Sequence, residues 1–582
     1  MPAEQPEVVT YNAWRNGPWH SLGPEKGPQE GHNYDSVNMQ VYKNGSLGPR
    51  PCLKEITASN WDVANPAEFT GAILAHENYT YALTGSATDD KFLYVFGSGD
   101  TTQDRLKISD GSHGTHALTG TDGFSKQSKP TRYAAAPESL IGTLHSEEIA
   151  NTSVILAGDG VITSFDGGSP AITAYTASAD GTLTDNEYPQ NWDPHTLFSW
   201  RDRFWCWGDA SNANRIHYSE IGESFDWEAL SYIDIGADSN KPIIGVWPVL
   251  DSLLIAMKDL RWYRFMFTDS PDFGEIRYIG TKRIPDFNVQ PASPGESLVY
   301  LTRESGVVVV VGDEIDDMTL DYVRVPTDGE DDQPIYFLRG LEAQEQNSVS
   351  LPYQVDTVSA SPGNNVYKGD RSLDLVNGVW VQSLYWGPAS SDQNPSVVDA
   401  FRLGTSHFGY LALPDYNSGT YTRVYSRPVT LNRPSNSNDA WASNTEVAEH
   451  SDDSDDRFEG RVWLSTYRAP EKSLAAIEKV IIDFDYWRGS GWTNPAFTVK
   501  ADYVHNGDDQ STLTVGSLDN ADLSNSSNYT ASSARVVIRP ARMPLASQVD
   551  ISITGIKSVA LNEVTVVYAV EGQTPLTSVN VT

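Results

Sequence analysis

The stretch IIGVWPVLDSLLIAMKDLRWYRFMFTDSPDFGEIRYIG (residues 243–280) contains four apolar segments, each short enough to form one β-strand. Turn-forming residues separate these segments at positions 250–251, 259–260 and 270–272. Four antiparallel strands in about 40 residues make up one blade of a β-propeller, a unit that stacks radially with its neighbours. The stretch therefore predicts one propeller blade.

Similar strand signals recur along most of the chain. Segments such as KFLYVFG, TSVILAG, SLVYLTR and GVVVVVG are separated by turn-forming residues, a pattern typical of propellers, barrels and sandwiches. We predict an all-β protein with a propeller-like domain over residues 38–432, and stacked β-sandwiches are the alternative. The sequence contains no WD or kelch signature, and segments 224–230 and 473–480 are the best candidates for short helices.

A polar, acidic run, RPSNSNDAWASNTEVAEHSDDSDD (433–456), has the composition of a linker. Strongly alternating segments such as IEKVIIDFDYW and EVTVVYAV follow it. Residues 457–582 are therefore predicted to form a jelly-roll-like or immunoglobulin-like β-sandwich. Residues 1–37 are assigned to an N-terminal arm.

The charge balance argues against a nucleic-acid-binding or membrane protein. The chain has 77 Asp and Glu residues against 41 Lys and Arg, a formal net charge of -36, so it should repel nucleic acids and anionic membranes. The start, MPAEQPEVVT, lacks the pattern of a signal peptide, and no stretch approaches 18 consecutive apolar residues. We expect no membrane insertion.

The cysteine content indicates a reducing environment. Only Cys52 and Cys206 are present, which is too few for a disulfide framework in a chain of this size. Cys206 lies in the apolar segment FWCWG and is predicted to be a buried free thiol.

Catalytic and metal-binding motifs are not recognisable. His113 and His116 with Asp110 form the nearest metal-like group, but a third ligand is not identifiable, and an exposed polar turn is the favoured interpretation. The acidic runs 328–333 and 451–456 lack calcium-loop spacing. A glycosidase needs two carboxylates at a defined separation. The Ser-x-Asp-x-Gly-x-Thr-Trp motif that sialidases repeat occurs only as fragments, such as SFDGGSP and SADGTLT. We predict no enzyme activity and no cofactor.

Aromatic residues offer one candidate contact surface. Alternation in WRDRFWCWG (200–208) and MKDLRWYRF (257–265) places most of their rings in the core. Trp487 and Trp492 flank the Gly-rich turn that begins at Arg488, so we predict a surface-contact loop of Trp487, Arg488 and Trp492, with glycan binding as an alternative role.

Three phrases are distinctive: NMQVYKNGSLGPRP (38–51), DRFWCWGDASNANRIHYSEIGESFDW (202–227) and ADSNKPIIGVWPVLDSLLIAMKDLRWYRF (237–265). They resemble phrases of tailed-bacteriophage tail nozzle and minor tail proteins. The chain departs from the family pattern at GPRPCL, where a Gly after Arg-Pro is more usual. The region that contains the three phrases in this order, together with the β-sandwich after them, covers about two thirds of the chain.

In the first phrase, Asn44-Gly45 is a strong hairpin signal, and the following prolines end an edge strand. The family-like residues of this hairpin are Asn38, Asn44, Gly45, Arg50 and Pro51. We expect the hairpin to close the propeller by pairing with a late blade strand.

The resemblance implies a structural protein of the virion, assembled in the host cytoplasm. It implies a homo-oligomeric ring of six copies around the DNA exit channel, in contact with other tail proteins such as the adaptor and fibres. Phage DNA would pass without specific binding. A receptor-binding tail protein that contacts the host surface is the first alternative, and a glycan depolymerase is the second.

Overall fold

The computed structural model describes the strands and many of their connections. The described residues are 6–14, 33–51, 54–57, 61, 69–76, 91–97, 102–108, 110–117, 145–149, 152–156, 162–166, 172–177, 187–188, 196–201, 203–207, 212–221, 230–236, 241–267, 274–281, 291–293, 297–301, 307–311, 313–317, 335–337, 341–343, 348–356, 366–374, 379–386, 396–403, 407–413, 423–428, 432, 460–464, 466–470, 473–488, 495–505, 509–518, 530–541 and 544–572. Every regular element within these ranges is a β-strand. They contain no helix long and apolar enough to span a membrane.

The segment that predicts a blade forms a four-stranded antiparallel sheet. Its strands are β19 (Ile243–Val249), β20 (Ser252–Met257), β21 (Arg261–Met266) and β22 (Glu275–Thr281), paired in that order. The prediction of four strands is confirmed. Leu250 and Leu260, in the first two turns, have positive φ angles of 47° and 67°.

Six further sheets, numbered with this one as blades 1 to 7 in chain order, make up the rest of the propeller. Blade 1 contains β6 (Phe69–His76), β7 (Lys91–Gly97), β8 (Thr102–Lys107) and β9 (His113–Ala117). Blade 2 contains β10 (His145–Ile149), β11 (Thr152–Leu156), β12 (Ile162–Asp166), β13 (Ile172–Ala177) and β14 (Glu187–Tyr188). Blade 3 contains β15 (Thr196–Trp200), β16 (Arg203–Trp207), β17 (Arg215–Tyr218) and β18 (Tyr232–Asp234).

The sheet of residues 243–281 is blade 4. Blade 5 contains β23 (Ser297–Leu301), β24 (Val307–Val311) and β25 (Glu314–Asp317). Blade 6 contains β26 (Ile335–Phe337), β27 (Leu341–Ala343), β28 (Ser348–Asp356), β29 (Val366–Asp374) and β30 (Val379–Trp386). Blade 7 contains β31 (Ser396–Leu403), β32 (His407–Leu413), β33 (Arg423–Pro428) and, from far upstream, β5 (Lys54–Glu55).

The seven blades follow one another around a closed ring. Strand β6 contacts β10, β10 contacts β15, β19 contacts β23, β23 contacts β28, β27 contacts β31, and β31 returns to β6. Blades 3 and 4 share a hydrophobic core, and blades 4 and 5 share a second one. The chain is therefore an all-β protein with a β-propeller, and its ring has seven sheets within the described residues.

The last blade is closed by a strand from the beginning of the chain. Glu55 and Lys54 lie opposite Tyr425 and Ser426 of β33 in an antiparallel pair. Beyond the pair, the amide of Ile56 donates to the carbonyl of Val424 at 2.8 Å. This closure removes the free edge that an open ring of sheets would leave.

The remaining strands form a β-sandwich. Its sheet 1 contains β1 (Glu7–Tyr11), β3 (Met39–Val41), β4 (Leu47–Pro49), β36 (Ser473–Arg488), β39 (Thr530–Ile538) and β41 (Val559–Gly572). Its sheet 2 contains β2 (Asn33–Val37), β34 (Gly460–Leu464), β35 (Tyr467–Arg468), β37 (Ala496–His505), β38 (Asp509–Leu518) and β40 (Gln548–Lys557). One hydrophobic core joins side chains of both sheets.

Both ends of the chain build this sandwich, and the propeller is inserted between them. Strand β1 pairs with β41 over five residues, from Glu7 opposite Tyr568 to Tyr11 opposite Val564. The sequence prediction assigned residues 1–37 to an arm and residues 38–51 to the propeller, whereas the structure places β1 to β4 in the sandwich. The predicted linker, 433–456, lies outside the described residues.

Strand β2 connects the sandwich with the propeller. It pairs antiparallel with β34 and, through Val37 opposite Gln382, in parallel with β30 of blade 6. Blade 6 and sheet 2 of the sandwich consequently form one continuous eleven-stranded sheet.

One helix candidate is wrong. Residues 473–480 are the first half of the 16-residue strand β36. Its Ala, Glu and Lys residues favour a helix locally, but pairing with β41 from Ser473 to Tyr486 overrides that preference. Residues 224–229 of the other candidate lie outside the described part of the chain.

Candidate functional site

The hairpin of residues 38–51 lies where the sandwich meets the propeller. Met39 pairs with Pro49 and Val41 with Leu47. In the turn, Gly45 has a φ of 90°, and its amide donates to the carbonyl of Tyr42 at 2.8 Å. The Asn44 Oδ1 atom accepts hydrogen bonds from the Ser46 amide at 3.1 Å and from the Ser46 hydroxyl at 2.7 Å. Asn44 and Gly45 therefore shape the turn that the sequence predicts.

Arg50 fastens the two ends of the hairpin together. Its side chain is fully buried, and its Nε donates to Asn38 Oδ1 at 3.2 Å while Nη1 donates to the Pro51 carbonyl at 2.8 Å. The Arg50 amide also donates to the Asn38 carbonyl at 3.1 Å. Asn38 has a φ of 58°, a conformation that Asn adopts more readily than most residues. The two family-like residues Asn38 and Arg50 thus form one buried structural unit.

Tyr42 completes the packing of the hairpin. Its hydroxyl donates to the Pro49 carbonyl at 2.7 Å, and its ring lies 6.4 Å from that of Trp487. A Cβ atom built on Gly48 would overlap the Tyr42 ring. Glycine is therefore favoured at position 48, because any side chain there would displace the Tyr42 ring.

The hairpin does not pair with a late blade strand, as the sequence analysis expected. Strand β4 pairs instead with β41 of the sandwich, through Leu47 opposite Leu561. The closing contact with blade 7 is made by β5, which begins three residues after Pro51. The physical reason is that β4 ends at Pro49, and neither Pro49 nor Pro51 has an amide hydrogen with which to extend the pairing.

The predicted surface-contact loop is wrong for its first residue. Trp487 lies in strand β36 opposite Ala531 and is only 2% exposed. Its amide donates to the Ser558 carbonyl at 3.2 Å. Arg488 ends the same strand, half-buried, with its guanidinium 5.7 Å from the Tyr486 ring. Trp492 lies outside the described residues, so the structure does not bring these three residues together as an exposed site.

The second and third family-like phrases build the core between blades 3 and 4. Trp205 is completely buried, and its indole Nε1 donates to the Trp200 carbonyl at 2.9 Å. Its ring lies 5.2 Å from that of Tyr218 and 6.5 Å from that of Phe265 in blade 4. Cys206 is buried and free, as predicted. The aromatic residues of these phrases therefore act as core residues.

The turns of blades 3 and 4 contact each other, and no strand or hairpin signal in the sequence predicts this contact. The Trp200 indole donates to the Leu250 carbonyl at 3.1 Å, and Arg201 Nη2 lies 2.6 Å from Asp251 Oδ1. Arg201 has a φ of 51°, and its guanidinium is 4.7 Å from the Phe267 ring. The contact joins residues 50 positions apart in sequence. The one related sequence signal is that each turn contains a residue followed by Asp, Arg201-Asp202 in one and Leu250-Asp251 in the other.

Asp110 and Ser112 lie in the turn before β9, whereas His113 and His116 lie within that strand, so the predicted polar turn is wrong for the two histidines. Asp110 Oδ1 accepts hydrogen bonds from the amide and hydroxyl of Ser112, and these bonds lower the pKa of the carboxyl. The His113 ring stacks on Trp61 with centroids 5.8 Å apart. Within the described residues there is no group of three potential metal ligands. The side chain of His116 lies outside the description.

A cluster of tyrosines holds β1 in the sandwich. Tyr467 stacks on Tyr568 with ring centroids 3.8 Å apart, and its hydroxyl donates to Glu7 Oε2 at 2.5 Å. Burial, and then the hydrogen bond to Glu7, raise the pKa of Tyr467, so its phenol stays protonated and remains a donor. Burial also raises the pKa of Tyr503 to about 12. These residues are far apart in sequence, and no local pattern predicts their contact.

Comparison with known proteins gives structural matches only. No protein-family profile matches the sequence, and no curated protein matches it. The chain is similar to the β-propeller protein Ycf48 bound to D1 peptide, with a TM-score of 0.34, 7% identity, and coverage of 64% of this chain and 98% of that chain. The computationally designed Ika8 protein matches with a TM-score of 0.33 and 13% identity over 65% of this chain and 100% of that one.

Raptor from Chaetomium thermophilum matches with a TM-score of 0.36 and 10% identity, over 66% of this chain and 30% of that chain. These matches are distant, and all of them are to β-propeller proteins. The assignment of the fold rests on the strand pairing described above.

Proposed function

We propose that this chain is an architectural subunit of a tailed-phage tail. Copies assemble into a ring, of a nozzle or tail tip, that surrounds the channel through which DNA leaves the particle. The protein acts in the virion after assembly in the host cytoplasm. Its partners are further copies of itself and other tail proteins, such as the adaptor and fibres.

The observation that carries the proposal is the placement of the three family-like phrases. In the first, the buried pair of Arg50 and Asn38 closes the hairpin that precedes β5, the strand that completes blade 7. The other two supply the core of blades 3 and 4, including Trp205 and Trp262, which are fully buried. Residues that carry the resemblance are therefore framework residues, which is what an architectural role requires.

The charge of the chain supports passage of DNA without specific binding. A formal net charge of -36 repels phosphate groups, whereas proteins that hold DNA neutralise phosphates with Lys and Arg. A wall of such subunits would let a polyanion slide past. This argument does not support a catalytic role, and we propose none.

Native mass spectrometry of the purified full-length chain, together with negative-stain images, tests the proposal. We expect a closed ring of identical subunits, either alone or when a tail partner is added. A chain that stays monomeric under both conditions, and that binds host cells without any tail protein, would contradict the ring and favour receptor binding. A single Asp or Glu whose loss abolishes release of reducing sugars would favour a depolymerase.

A further inference from the structure

Three strands of sheet 1, β1, β3 and β39, have a partner on one side among the described residues, and β3 is short, at three residues. Among the described residues, β39 pairs only with β36, and β1 pairs only with β41. An edge strand presents unpaired amide and carbonyl groups, which are a template for pairing with another strand. Natural proteins usually protect such edges, so the side chains on each edge are informative.

Strand β39 lacks the usual protection of an edge. It pairs with β36 over nine residues, from Thr530 to Ile538, without a bulge. It contains no Pro and no Lys, and its exposed side chains include the small residues Ala531 and Ser532. Val537 is 48% exposed. A long, regular and unblunted edge of this kind favours strand pairing.

The outer strand of blade 4 shows the contrast. Strand β22 is shorter, at seven residues, and its pairing with β21 is interrupted between Trp262 and Tyr263. It carries the exposed charged residues Glu275 and Arg277. Two charges and an irregular register protect that edge, whereas the register of β39 is regular and its one charged residue, Arg535, is paired with Asp483.

The charge around β39 selects an acidic partner. Residues 523–549 contain three Arg and no Asp or Glu, in a chain with 77 acidic residues. Arg539, directly after the strand, is exposed, while Arg535 is bound to Asp483 at 2.9 Å. An approaching strand with carboxylates is therefore attracted to this edge, and a second β39 is repelled by it.

Strand β1 has the complementary properties. Glu7 is exposed, although its Oε2 atom accepts a hydrogen bond from Tyr467, and Val8 is 51% exposed. Glu4 precedes the strand in the sequence, and no Lys or Arg occurs before Arg15. Strand β1 lies at the opposite edge of the same sheet, so pairing of β39 with β1 of a neighbour joins copies head to tail.

We propose that β39 of one copy pairs with β1 of the next, so that sheet 1 continues from subunit to subunit. The contact uses two different surfaces, and repetition of such a contact gives a ring when the rotation between copies closes. This inference rests on the proposed function, because it names the interface of the proposed ring.

Mixed cross-linking identifies the two strands. Val8→Cys and Val537→Cys chains are prepared separately, mixed, and treated with a short bismaleimide, with the wild-type chain as the background for Cys52 and Cys206. We expect covalent dimers from the mixture and none from either variant alone. Dimers from Val537→Cys alone would show a symmetric contact between two β39 strands and overturn the inference.

A matched pair of substitutions measures the energetic importance of the edge. Val537→Lys places a protecting charge on β39, and Val311→Lys places the same charge on a propeller strand, at a residue that is 47% exposed compared with 48% for Val537. In sedimentation velocity we expect Val537→Lys to weaken self-association at least about tenfold, with Val311→Lys unchanged. Equal thermal melting of the two variants is the control for folding.

The outcomes separate the interface from the function. The wild-type chain could form a ring that Val537→Lys does not weaken, with no covalent dimers in the mixed cross-linking. In that case the interface lies elsewhere, and the proposed ring remains. If the wild-type chain does not self-associate, alone or with a tail partner, both the interface and the proposed ring are wrong.

Discussion

The propeller and the sandwich are both built mainly from antiparallel strands. In the propeller most strands pair with their neighbours in sequence, whereas in the sandwich strands pair across most of the length of the chain. Blade 4 is complete within residues 243–281. The sandwich core, in contrast, extends from Tyr11 and Trp14 to Tyr568. Its longest strand has 16 residues, whereas the propeller strands have two to nine. The propeller is thus a set of local units, and the sandwich depends on contacts between the two ends of the chain.

The hairpin of residues 38–51 lies where these two kinds of strand pairing meet. The chain leaves the sandwich at Pro49 and closes the propeller at Lys54 and Glu55. Strand β2 adds the pairing with blade 6. The strand that closes the ring of blades therefore follows the sandwich hairpin directly in sequence.

Truncation of a side chain in the propeller core should cause the largest loss of stability, and this loss should be confined to the neighbouring blades. Trp205→Ala removes a fully buried indole between blades 3 and 4, and we expect a loss of about 4 kcal/mol in the free energy of unfolding of those blades. Hydrogen exchange should show loss of protection in β16, β17 and β21. Protection of β36 and β41 in the sandwich should stay unchanged.

Ile482→Ala is the matched truncation in the sandwich, because Ile482 is also fully buried. We expect about 3 kcal/mol of destabilisation, and it should lower protection in β1 as well as β41, since one core joins the two chain ends. Equal loss of protection throughout the molecule in both variants would contradict the distinction between local blades and a long-range sandwich.

A smaller effect is expected at the hairpin. Gly48→Ala forces a methyl group into the buried Tyr42 ring, whose hydroxyl is bound to Pro49, and we expect a cost of about 2 kcal/mol from overpacking. Gly114→Ala is the control, because a Cβ atom there meets nothing within 4 Å. Urea denaturation measures both, and similar midpoints for the two variants would show that the hairpin is not tightly packed.

The smallest effect concerns a strained turn of the propeller. Leu250 is 58% exposed and has a φ of 47°, a conformation that Asn tolerates better than Leu. Leu250→Asn should therefore stabilise blade 4 by about 0.5 kcal/mol. Leu230→Asn, at a residue that is 78% exposed and has no positive φ, should give no gain. A thermal shift in Leu230→Asn equal to that in Leu250→Asn would argue against strain relief.

The same contrast explains what the sequence predicts well. The four strands of blade 4 follow from apolar segments and turns within 38 residues, and Asn44-Gly45 predicts its hairpin from two residues. Each of these signals is local, and each corresponds to pairing between neighbours in sequence. The core positions of Trp205 and Trp262 follow from alternation for the same reason.

Long-range pairing is what the sequence analysis could not predict. The partner of β4 is about 500 residues away, in β41, and no turn or alternation in the hairpin specifies it. Trp487 looked like a loop residue because Gly489 and Gly491 follow it, but β36 continues through Arg488. Which edge of a sheet a strand joins depends on the assembled core, so local patterns leave that choice open.

The central structural claim is that both ends of one chain form the same sandwich. A chain with Thr10→Cys and Thr565→Cys tests it directly, because these residues are paired in register and their hydroxyl oxygens are 3.4 Å apart. We predict a disulfide within a single chain after mild oxidation, detected by mass spectrometry of the linked peptides. Absence of this disulfide, or its formation only between chains, would contradict the claim.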